Sequence, residues 1–253
     1  MKPRFFLLLF FTYILICSCT TQASKDTQYE LKLGRNIAAI ILGKYKQSTD
    51  IPLIRYVNLV GQSVASSSGR KDIHFHFTVI ESDRPNALAC PGGYVFVTTG
   101  LLKLIKNEAE LAGVLAHEIA HINQKHVFNK VYEAPQSSGN VFTQFLTAKN
   151  TSMSVAFSEI SDQSITIIMN QGLDESDEFE ADIAAVLYLQ NTGYKGQAYL
   201  DLIARLPTQD TVHSKTHPNI DTRLQSIAAI FPESQLNDGE LLVDRYENHA
   251  TLR

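Results

Sequence analysis

His117-Glu118-Ile119-Ala120-His121 lies inside an apolar stretch that reads as one helix from about Asn107 to His126. Histidines four residues apart are separated by about 400° of helical rotation, about 40° net, so both imidazoles leave one face. Both can reach a single metal ion. Glu118 follows the first histidine directly, close enough to hold a water at the metal without being forced to ligate it. The pattern points to a zinc hydrolase, most often a peptidase. Ala109, Leu111, Ala112, Val114, Leu115 and Ala116 make the helix apolar on most sides, which predicts burial. A dry surround favours zinc chemistry. His126 comes out about 140° and about 180° from the two histidines on the same helix, so it is expected to face away as a supporting or packing residue.

A zinc site needs a third protein ligand and one open position. The richest source of carboxylates is Asp174-Glu175-Ser176-Asp177-Glu178-Phe179-Glu180-Ala181-Asp182, which opens a helix running through Leu189. Acidic residues also suit the first turn of any helix, so most of these are expected to be solvated charges. Glu178 and Asp182 share a face. A glutamate there can ligate, and an aspartate one turn on can orient a ligand histidine through its other ring nitrogen. On spacing alone Glu175 remains an alternative ligand.

His117-Glu118-x-x-His121, then Glu178-x-x-x-Asp182, then His217-Pro218-x-x-x-x-Arg223 resembles the zinc metallopeptidase family of bacterial HtpX, BepA and LoiP and the eukaryotic CAAX prenyl protease. Asn86 to Leu102 is similar to that family's active-site edge strand. The resemblance spans roughly Glu30 to Ile230. It implies a gluzincin-type, zincin-like domain: mainly helical α+β, with a small sheet and a buried metal helix. It further implies one Zn2+ per chain, ligands at His117, His121 and Glu178, a catalytic base at Glu118, and Asp182 behind the ligands. His217 and Arg223 join Glu118 as candidate catalytic residues. His217 would stabilise the oxyanion or else occupy the open metal position and hold the enzyme latent. A helix cap and a structural ion pair are the plainer readings of these two.

Helical spacing recurs at Tyr29–Tyr45 and Ile51–Ser66, and Asp221–Ile230 also reads as a helix. Ile73–Ile80 alternates as a strand and puts His74 and His76 on one face, where a solvated row is expected rather than a metal site. Pro91 to Gly100 reads as a second strand, its glycines permitting close backbone approach. Gly93, Tyr94, Val95, Phe96 and Val97 are expected to form an exposed edge on which an extended peptide adds as a strand. Residues 127–172 carry no clean period and are expected to hold small helices.

The chain has 22 basic and 26 acidic residues, and no basic stripe, which argues against nucleic acid. Lys2 and Arg4 precede an apolar run, Phe5–Ile16, too short to span a bilayer. Ile16-Cys17-Ser18-Cys19 then resembles a lipobox with cleavage before Cys19. Residues 1–18 are thus expected to be a signal peptide, 19–28 a tether, 29–230 the peptidase domain and 231–253 a C-terminal tail. Lipidation at Cys19 would anchor the protein to a membrane facing the periplasm, the outer one by preference. Cys90 is then left without a disulfide partner. It is expected to be a buried apolar residue rather than a reactive thiol near the site.

These expectations describe an envelope zinc endopeptidase that degrades misfolded or unassembled exported proteins. The alternative is a chaperone-like outer-membrane assembly factor with a silenced protease.

Overall fold

A computed structural model of the chain describes residues 26–133, 161–162, 164–207 and 219–250. Cys19 and His217 lie outside the described residues, as do the lipobox and most of the tether. The elements are α1 (26–44), α2 (Ile51–Ser67), β1 (His76–Ile80), β2 (Ala87–Cys90), a 3-10 turn (Pro91–Gly93), β3 (Tyr94–Thr98), α3 (Thr99–Leu102), α4 (Glu108–Asn123) and α5 (His126–Glu133). A π-helical turn (Ile167–Gln171) precedes α6 (Glu175–Asn191), α7 (Gly196–Arg205), α8 (Ile220–Ile230), α9 (Glu233–Leu236) and α10 (Val243–His249). The fold is therefore α+β and mainly helical, with one three-stranded sheet.

α4 is the axis of the molecule. Every residue from Glu108 to Ile122 is buried. The Asn107 side chain caps its start by accepting from the Glu110 N–H at 2.9 Å, filling one of the donors a helix N-terminus leaves unmet. α2, α6, α7 and the sheet all pack around it. Gly113 permits the close approach of α7, since a Cβ there would fall 2.8 Å from the Tyr199 side chain.

The sheet order is β1-β3-β2, with β1 and β3 parallel and β2 and β3 antiparallel. Gly93 to Val97, expected as an exposed edge, therefore runs into the central strand. A Tyr-Val-Phe-Val-Thr run, with three apolar residues in a row, suits a strand covered on both faces. The edge beside α4 is instead β2, four short residues between Pro85 and Pro91. The outer side of β1 is closed by side chains of α2: Gln62 Nε2 donates to the Phe75 carbonyl at 2.7 Å, and Asn58 bonds both backbone groups of Phe77. His74 and His76 are exposed, as expected, and His76 stacks on Tyr94.

α4 ends at Asn123 rather than His126. Lys125 adopts φ 60°, a left-handed conformation unusual for a side chain with a Cβ, and the chain starts α5 at His126. Residues 26–28, assigned to the tether, are already helical. The expected tail after residue 230 folds back instead. Phe231, Leu236, Tyr246 and Ala250 are buried, the Ala109 N–H donates to the Leu241 carbonyl at 3.1 Å, and Arg245 bonds Glu108 through two nitrogens. Among the described residues, no helix is long and apolar enough to cross a membrane.

Cys90 sits on β2, fully buried, and burial together with the Glu118 charge pushes its thiol pKa up. A buried thiol held in its neutral form is a poor nucleophile. Native protein is expected to leave Cys90 unlabelled by a thiol reagent over hours, with labelling in denaturant. Rapid native labelling would show that β2 opens readily.

Candidate metal centre

His117, His121 and Glu178 offer three buried ligand atoms that lie within 4.8 Å of one another. The Nε2 atoms of the two histidines are 2.9 Å apart. The Glu178 carboxylate is 3.5 Å from each of them. α4 supplies both imidazoles from one face, and the first turns of α6 bring Glu178 over them. Glu175, the alternative on spacing, is exposed and takes no part.

The groups behind the cluster settle which nitrogens face inward. Asp182 Oδ1 is 3.0 Å from His117 Nδ1, and the Tyr199 hydroxyl is 2.9 Å from the same nitrogen. Tyr199 donates to Asp182 Oδ1 at 2.6 Å. Arg223 donates to both Asp182 oxygens, from Nε at 2.8 Å and from a terminal nitrogen at 2.6 Å. All these groups are buried. Arg223 thus reaches the centre through Asp182, as the plainer structural reading of it expected. Its other terminal nitrogen is buried with no hydrogen-bond partner among the described residues, and Arg223 borders a cleft that Glu118 also lines.

His121 Nδ1 meets His126 Nδ1 at 2.8 Å. His126 does not point away from the centre. The rotation argument assumed a helix that continues through residue 126, and the turn at Lys125 invalidates it. Tyr199 had no distinguishing mark in the sequence; it is one aromatic on an amphipathic helix.

The electrostatics fit a cation. Burial alone would lower the His117 pKa, but its bonds to Asp182 and Glu178 prevail and lift it to about 9. The site thus draws positive charge onto an imidazole. Burial and the neighbouring imidazoles keep His121 well below its ordinary value, neutral and able to donate a lone pair. Two imidazoles with a carboxylate are a donor set suited to zinc, whose binding would displace the His117 proton.

Glu118 stands beside the cluster without joining it. Burial pushes its carboxyl up to about 7, with Glu178 adding to the shift and His117 opposing it. It lines two small clefts. One is shared with Ala87, Ala89, His121 and Glu178, the other with Ala87, His117, Tyr199 and Arg223. The Thr98 N–H donates to the Asn86 carbonyl at 3.0 Å, so antiparallel alternation turns the backbone groups of Ala87 and Ala89 outward, toward these clefts. A cavity of about 570 Å³ lies elsewhere, walled by Tyr56, Glu108, Tyr194 and Arg245, and touches none of the cluster.

The chain is similar in sequence to known proteins. The chain is 30% identical over 182 residues to the beta-barrel assembly-enhancing protease of Yersinia pestis, covering 68% of this chain and 37% of that protein. It is 27% identical over 205 residues to the protein of the same name from Escherichia coli K12, covering 77% and 42%. It is 30% identical over 195 residues to the mitochondrial metalloendopeptidase OMA1 of Schizosaccharomyces pombe, covering 73% and 55%. The chain thus spans about two fifths of the length of the bacterial relatives and just over half of the fungal one. The profile of peptidase family M48 matches residues 54–230, a span that takes in both histidines, Glu118, Glu178, Asp182 and Arg223. This chain belongs to peptidase family M48.

Proposed function

We propose that the chain is a zinc-dependent endopeptidase of the bacterial envelope that cleaves misfolded or unassembled exported proteins in extended form. The observation that carries this reading is Glu118, a buried carboxylate with a raised pKa, next to three converging ligand atoms. His117, His121 and Glu178 would hold the ion. Bound there, zinc supplies a Lewis acid that polarises a peptide carbonyl and acidifies water. Glu118 takes the proton from the attacking water and returns it to the leaving amine. Asp182, Tyr199 and Arg223 hold His117 in place. A substrate lies along β2 rather than β3, pairing with the outward backbone groups of Ala87 and with the Ala89 carbonyl. Such pairing needs a free backbone, which favours unfolded segments. The names of the bacterial relatives support a role beside beta-barrel assembly, and a lipid anchor at Cys19 would hold the enzyme at a membrane.

Purified protein is expected to cleave casein, to lose cleavage on treatment with a metal chelator, and to regain it with stoichiometric zinc. Cleavage that survives complete metal removal would overturn the reading.

A further inference from the structure

We propose that His126 is a positioning residue that fixes which nitrogen of His121 faces the metal. The inference rests on the metal-centre reading above and extends it to a residue outside the ligand set. His121 can ligate through Nε2 only if its proton is on Nδ1. Its Nδ1 lies 2.8 Å from His126 Nδ1, a full hydrogen bond, so that atom of His126 accepts. His126 Nε2 faces Glu180 at 3.6 Å and Asp177 at 3.9 Å. Both carboxylates belong to α6, the helix that carries Glu178. The chain of contacts runs from α4 through His126 to the ligand-bearing turns of α6, and so ties the two helices that share the ion.

Two further features support it. His126 is 5% exposed, so its ring is held by packing and not by chance. The left-handed Lys125 is what folds the chain back and delivers the ring, and a conformation of that kind persists only where its surroundings demand it. The two ligand histidines are thus supported differently. His117 leans on a buried aspartate locked by arginine, and His121 leans on an imidazole that leads to carboxylates at the surface.

The test is zinc affinity by chelator competition on the full chain, with the visible spectrum of the cobalt-substituted protein as a second readout. H126L removes the acceptor and is expected to weaken zinc binding about 10- to 100-fold and to change the cobalt spectrum. H126Q places its amide at the Nε2 position and misses Nδ1, so it is expected to weaken binding similarly, and it serves if leucine disturbs folding. H126N puts an oxygen where Nδ1 was and is expected to stay within about threefold of wild type, with the wild-type spectrum. Wild-type affinity in both H126L and H126Q overturns the proposal, as does a loss in H126N equal to theirs. Failure of the unsubstituted protein to bind zinc would instead overturn the metal centre itself.

Discussion

Glu118→Gln is expected to keep stoichiometric zinc and to lose about 10²- to 10⁴-fold of the cleavage rate on casein. The substitution is nearly isosteric, and Glu118 is not one of the three converging ligands, so the metal set is untouched. What disappears is the base. A glutamine amide cannot accept the proton of the attacking water, nor deliver one to the leaving amine. Burial strengthens the expectation: Glu118 is 6% exposed, so bulk solvent cannot easily substitute for it. Elemental analysis and a casein assay on the same preparation decide the matter. Activity within tenfold of the wild type would remove Glu118 from the mechanism. The same variant separates the two functional readings. An assembly factor with a silenced protease would still rescue outer-membrane assembly as the glutamine form, and a degrading enzyme would not.

The metal helix was legible because ligation and helical periodicity make the same demand. Two imidazoles on one ion require spacing of one turn, and a helix buried on every side requires apolar residues throughout; α4 shows both in its sequence. Glu178 was legible through the family resemblance: it shares a face with Asp182, but spacing alone left Glu175 open as the ligand. Strand order was not legible. β3 is central only because β1 pairs with it from across the turn-rich 81–93 stretch, and Ala-Leu-Ala-Cys carries neither alternation nor β-branched residues to announce β2. His126 was misplaced by arithmetic that held only while the helix lasted. A left-handed lysine leaves no compositional trace, unlike a glycine or proline. The expected tail misled because its buried residues, Phe231, Leu236 and Tyr246, are too widely spaced to show a period.

Arg223→Met is expected to destabilise the fold by about 3–5 kcal/mol, by leaving Asp182 buried without its counter-charge. The aspartate is fully buried and accepts from two Arg223 nitrogens and from Tyr199. Burial would push its carboxyl up, but the Arg223 charge and hydrogen bonds prevail and hold it far below the usual carboxylate range. In the wild type the stability linked to this depression is present above the unfolded value of about 3.9 and is lost as pH falls toward the folded one. The variant reverses the sign. Without the guanidinium, only the His117 and Tyr199 contacts still oppose burial, and the carboxyl pKa is expected to rise above its unfolded value. Protonation then favours the folded state. The deficit of Arg223→Met, measured by urea unfolding of metal-free protein, is therefore expected to be largest near about pH 7 and to shrink by about pH 5. Asp182→Asn in the same chain removes the orphaned charge and is expected to recover much of the loss at about pH 7, while zinc affinity stays reduced, because His117 then lacks a charged acceptor at Nδ1. A deficit below about 1 kcal/mol, or one that does not depend on pH, would mean that water reaches Asp182 once Arg223 is gone. The pair would then orient His117 without stabilising the fold.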